Sequence, residues 1–109
     1  MGQGWRTLRA LIRLTHPLPT LLNAIAAAAL ATVAGAPSRT AALVALTMLG
    51  VHTFIGATND FIDRDRDAGR LEKPLARGQL PPRAALLVAA AGLTTGLAAA
   101  AQVSWLTLL

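Results

Sequence analysis

Polar and apolar positions are sharply segregated along this chain. Apart from His16, no charge occurs from Leu14 to Ser38, from Thr40 to Asn59 or from Ala84 to Leu109. Each of these runs is close to the ~20 residues an α-helix needs to cross a bilayer. The pattern predicts an all-α, transmembrane helical bundle. Its spans fall at roughly 18–36, 40–62 and 82–109, with a polar loop over 63–81. Ahead of the first span, Arg6, Arg9 and Arg13 follow spacings of three and four, so they share a helix face beside Trp5. Such a segment reads as a short helix at the membrane surface. Pro17 and Pro19 then break or redirect it. Gly69, Pro74 and Gly78 favour turns in the polar loop, and Pro81-Pro82 suits the first turn of the last span.

A cleaved signal peptide is the competing reading of the start, because arginines, an apolar run and Ala34–Ala36 follow one another. The two prolines and Asn23 at the head of the run, and its length, favour a retained helix.

Composition agrees with the membrane reading. Of 109 residues, 54% are hydrophobic and 14% charged, whereas a soluble domain carries about 25% charged residues. The net charge of +5 raises nucleic-acid binding. The basic residues flank apolar runs instead of forming a stripe, which argues against it. With no cysteine there is neither a disulfide framework nor a thiolate metal site. Gly2 invites N-myristoylation, but Arg6 stands where that motif needs Ser or Thr.

The basic residues also set an orientation. Three lie in the N-terminal flank and one, Arg39, in the first connection; six surround the second connection (Arg64, Arg66, Arg70, Lys73, Arg77 and Arg83). The positive-inside rule therefore puts the N-terminus and the 63–81 loop on the cytosolic side of a cytoplasmic membrane. In the third run, Gly92, Gly96 and Ala100 are one turn apart. Small residues at that spacing let membrane helices approach closely, here more within the chain than between copies.

The acidic residues carry the candidate chemistry. Four of the five lie in Asn59–Asp67, "NDFIDRDRD", and the fifth, Glu72, is just beyond. On a helix, Asn59, Asp60, Asp63 and Asp67 fall within a ~100° arc and Asp65 falls opposite. Clustered carboxylates repel one another and are costly at a membrane edge without a cation. A divalent ion with oxygen ligands relieves this, and Mg²⁺ characteristically shares its site with substrate phosphates. Lys73, Arg77 and Arg83 follow, as a diphosphate would require. On the same face, Gly56 leaves room for a ligand or another backbone. His52, an ionisable residue within the membrane, is a functional candidate, its alternative being a neutral histidine bonded between helices.

Three rival readings fare worse. An EF-hand needs Gly at loop position 6 and Glu at position 12, where Ala68 and Pro74 stand. Solvated Asp–Arg pairing accounts for Arg64, Asp65 and Arg66 but not for the shared arc. The spacing Asp63-x-x-x-Asp67 is similar to the end of the CDP-alcohol phosphotransferase motif, but its preceding D-G and A-R elements are missing.

The stretch "NDFIDRDRD…KPLARGQL" resembles the UbiA superfamily of intramembrane prenyltransferases, whose first aspartate-rich motif is N-D-x-x-D-x-x-x-D. Asn59, Asp60, Asp63 and Asp67 match it without a gap, and Lys73 to Gly78 looks like the basic-Pro-Leu-x-x-Gly stretch that follows. Arg77 departs from the small residue common there, and "RLTHPLPTLLNA" looks like the approach to the family's first helix. The resemblance implies Mg²⁺-dependent transfer of an isoprenyl group from a prenyl diphosphate to an acceptor. It implies metal ligation by Asn59, Asp60, Asp63 and Asp67, with the three aspartates catalytic, and diphosphate contacts from Lys73 and Arg77. Relatives have about nine transmembrane helices and a second aspartate-rich motif, against about three helices and one motif here. The expectation is thus the N-terminal part of such an enzyme, a fragment inactive alone. The alternative function is a non-catalytic three-helix membrane protein whose charged cytosolic loop binds a partner.

Overall fold

The computed structural model describes residues 2–70 and 73–104. Glu72 and the end of the third apolar run, 105–109, lie outside them. The described residues form four helices and no strand: α1 (Gly2–Leu14), α2 (Pro17–Val33), α3 (Ser38–Ile62) and α4 (Pro82–Val103).

The surface-helix segment forms α1 and stops at Leu14, with Thr15 and His16 between it and Pro17. A residue preceding proline is pushed out of the right-handed helical region. His16 takes the left-handed conformation instead, with φ 51° and ψ 62°, at a cost of about 1–2 kcal/mol. Pro17 then opens α2 with the φ it already prefers, and α1 and α2 meet with a 48° bend.

Helices α3 and α4 are each long and apolar enough to cross a membrane. Helix α2 has 17 residues, or about 26 Å at 1.5 Å per residue, slightly short of a ~30 Å hydrocarbon core. The bundle therefore contains two candidate spans, or three when the bent α1–α2 pair counts as one.

The packing is inverted relative to a water-soluble protein. Residues buried along α4 are Ala85, Ala89, Gly92, Gly96, Ala99 and Ala100, while Leu18, Ile25, Leu30 and Val33 point outward from α2. Small side chains between helices and large apolar ones outside are what a lipid environment selects. The apolar helices mark an integral membrane protein.

Gly92 and Gly96 do pack within the chain. A Cβ added to Gly50 of α3 would stand 2.5 Å from the Gly92 carbonyl oxygen and 2.5 Å from the Gly96 nitrogen. These are backbone atoms, so only separation of the helices would relieve the clash. We expect Gly50→Ala to lower stability by about 1–3 kcal/mol, read as an earlier unfolding transition in detergent. At the far end of the pair, Arg39 donates to the side-chain amide oxygen Oε1 of Gln102 at 3.1 Å.

Helix α3 stops at Ile62, with Asp63 as its C-cap. The chain then turns through residues 63–69, and Gly69 and Gly78 take the positive φ values, +88° and +70°, that these turns need. Leu75 and Leu80 pack into a cluster with Ala10 and Leu14 of α1 and Ala85 of α4, and Pro74 is fully buried. The loop is thereby held against α1, and Lys73 is placed at the end of α3.

Candidate diphosphate site at the end of helix α3

Asp60, in the last turn of α3, is 2% exposed, and Asp67 is 8% exposed. Lys73 joins them. Its Nζ donates to Asp60 Oδ1 at 2.7 Å and lies 3.9 Å from Asp67 Oδ2. Although α3 has ended, one further turn is closed by the Asp67 N–H donating to the Asp63 carbonyl at 2.8 Å. That turn returns Asp67 to the side of the bundle where Asp60 lies.

The same Asp60 Oδ1 accepts a second hydrogen bond, from His16 Nε2 at 3.1 Å. An ionised carboxylate is acceptor-only, so Nε2 carries the hydrogen. His16 reaches Asp60 across Gly56: a Cβ there would lie 2.6 Å from the ring's Cδ2. The space left by Gly56 is therefore occupied by an imidazole from the α1–α2 break. Both donors converge on Oδ1, and Asp60 Oδ2 is buried without a hydrogen-bond partner. A buried acceptor of this kind costs about 1–3 kcal/mol.

The four residues of the predicted arc divide. Asp60 and Asp67 turn inward around Lys73, whereas Asn59 is exposed and Asp63 half-exposed, 3.8 Å from Arg66. Asp67 also lies 3.4 Å from Arg70. The Arg64 guanidinium lies 4.5 Å from the centre of the Phe61 ring and donates to the Phe61 carbonyl. Asp65 is exposed, as its opposite position on the wheel implies, and Arg77 is exposed on the loop. His52 is half-buried, and among the described residues its ring makes no hydrogen bond.

The histidine that reaches the site is thus His16, which sequence reasoning noted only as a possible charge. Its signal was the His-Pro pair at a helix break, where the proline disfavours the ordinary helical conformation in the residue before it.

The donor set suits a hard cation, and Asp60 Oδ2 is a buried carboxylate oxygen in need of a partner. Among the described residues no three His, Cys, Asp or Glu side chains converge as a ready-made metal cage. Mg²⁺ characteristically binds through one or two carboxylates and completes its shell with water and phosphate oxygens. Beside the site, an open apolar pocket of about 300 Å³ is lined by Thr15, Thr53, Val88, Gly92 and Thr95, among others.

Searches of curated proteins and of solved structures gave no match to the chain. A model of the UbiA prenyltransferase family matches residues 20–109, which include every acid of the cluster, Lys73 and Arg77. The match takes in most of the chain, and this membrane protein belongs to the UbiA prenyltransferase family.

Proposed function

We propose that the cytosolic end of α3 binds the diphosphate of a prenyl donor together with Mg²⁺, and that the protein serves prenyl transfer to an acceptor in the cytoplasmic membrane. The observation that carries this reading is Asp60: a carboxylate buried at the edge of an apolar bundle, with one oxygen saturated and the other without a partner. Asp60 would offer the metal its free oxygen, and Asn59, Asp63 and Asp67 would have to turn toward it to complete the ligand set. Bound there, Mg²⁺ would supply the positive charge that lets diphosphate depart with the electrons of its bond to the allylic carbon. The acceptor then bonds to that carbon and loses a proton.

The remaining work falls to the chain's own residues. Lys73 balances the charge of Asp60 and Asp67, and its ammonium is placed to receive a phosphate oxygen in exchange for a carboxylate oxygen. Arg77, on the same loop, supplies a second donor. The open groove walled by Val88 and Gly92 offers apolar surface to the isoprenyl chain. The excess of Lys and Arg around the 63–81 loop supports a cytosolic location for that loop and the N-terminus.

Asp63→Asn tests the reading, because Asp63 is half-exposed and its loss does not disturb the buried Asp60–Lys73 pair. In membranes where the unaltered protein supports prenyl transfer, the variant should be inserted as before and transfer should be lost. Full activity in Asp63→Asn membranes would remove Asp63 from the metal site. Activity that survives chelation of divalent ions would refute the metal reading as a whole.

A further inference from the structure

We propose that His16 is a positioning residue for Asp60: its ring holds Oδ1 so that Oδ2 stays directed at the incoming cation. The inference rests on the metal–diphosphate reading above and adds a residue that lies ahead of the segment matched by the family model, 20–109.

Four features of the chain converge on this contact. The first is the backbone, since His16 is the one non-glycine residue with positive φ among those described. Such a conformation persists only where its surroundings over-determine it. The second is Pro17, which bars the helical alternative at position 16 and fixes where the ring emerges. The third is Gly56, whose missing Cβ opens the slot the ring fills. The fourth is the shared acceptor: His16 and Lys73 both donate to Oδ1, and neither makes a hydrogen bond to Oδ2.

The two donors differ in how they are carried. Lys73 sits on a turn-rich loop at the end of a four-carbon stem, and its ammonium can pass from carboxylate to phosphate. The imidazole is a rigid plane on a short stem, fixed between two helices at a 48° bend. When a diphosphate draws Lys73 away, His16 is the donor that remains and keeps Asp60 from rotating. A side chain that orients a metal-ligating carboxylate in this way is worth about 10–100-fold in metal affinity or activity. A purely architectural role, stapling the α1–α2 break to α3, would instead show as lost stability with metal affinity unchanged.

The chain has two histidines, so ¹⁵N-histidine labelling in detergent micelles gives two ring systems. Asp60→Asn should move the ring ¹⁵N signals of one histidine, identified as His16 by its absence in His16→Gln, and leave those of His52 in place. Mn²⁺ binding in the presence of inorganic diphosphate, followed by electron paramagnetic resonance, gives the second readout. His16→Ala should weaken Mn²⁺ binding about 10–100-fold, and His16→Gln, which keeps a donor, should recover most of it. Gly56→Ala, which drives a methyl into the ring, should reproduce the His16→Ala loss with His16 intact. Ring signals that ignore Asp60→Asn would overturn the contact. If Asp60→Asn abolishes Mn²⁺ binding while a folded His16→Ala retains it, the positioning role falls and the metal reading stands. If Asp60→Asn leaves Mn²⁺ binding unchanged, both fall.

Discussion

Asp60→Asn should reduce prenyl transfer by at least about 10²–10³-fold, the range seen when a single preorganised charge-stabilising group is removed from a catalytic site. The substitution is nearly isosteric, so the shape of the side chain is kept, although Lys73 loses its charged partner and some stability goes with it. What changes is the charge. An amide offers a neutral oxygen and an NH₂ group where the site held two anionic oxygens. If the amide oxygen keeps the contacts to Lys73 and His16, the NH₂ takes the place of Oδ2 and points a donor at the cation. The opposite orientation turns the NH₂ against two donors. In either orientation the variant should insert normally and show its defect in the response to Mg²⁺. The check is an activity titration against Mg²⁺ in isolated membranes. Saturating metal that restores wild-type rates to Asp60→Asn would show that the carboxylate is dispensable.

The second large effect belongs to Lys73, and it is an effect on stability. Its side chain is 17% exposed and bonded to an aspartate whose side chain is 2% exposed. Removing one partner of a buried ion pair typically costs about 3–5 kcal/mol, because the other charge is left behind in a poorly solvated place. His16 still donates to Asp60 in the Lys73→Ala variant, so we expect the lower end, about 3 kcal/mol. The loss should be visible as an earlier unfolding transition in mild detergent and as faster amide exchange over the loop. The origin of the penalty can be isolated. In an Asp60→Asn background no buried charge is stranded, and Lys73→Ala should then cost less than about 1 kcal/mol. Equal costs in the two backgrounds would mean that Lys73 contributes through packing of its stem and not through the pair.

These effects sit in a region the sequence described unevenly. The spans were legible because a bilayer imposes length and apolarity together, and few soluble structures imitate a run like Thr40 to Asn59. The break before α2 was legible from Pro17 and Pro19. The cluster Asn59–Asp67 stood out because so few acids occur elsewhere.

The interior of the cluster was not legible. A helical wheel assumes that the helix continues, and α3 ends at Ile62. From Asp63 onward the direction of each side chain is set by turns and by where the loop is anchored. Leu75 and Leu80 do that anchoring, in a cluster with Ala10 and Leu14 from the other end of the chain. That long-range packing carries Lys73 inward to Asp60 and leaves Asp63 half-exposed. His16 was hidden for a related reason. It lies 44 residues before Asp60, and periodicity within one helix carries no information on which residue of another segment will fill the slot beside Gly56. Only the tertiary arrangement shows that Gly56 makes room for an imidazole.

The most direct test of the account is the binding of an unreactive prenyl thiodiphosphate to the purified protein in detergent, by calorimetric titration with and without Mg²⁺. The account predicts binding that needs Mg²⁺, disappears with chelator, and is lost in both Asp60→Asn and Asp63→Asn while their helical content is retained. Binding of equal affinity in the presence of chelator, or in either aspartate variant, would contradict the claim that the acidic end of α3 is a metal–diphosphate site.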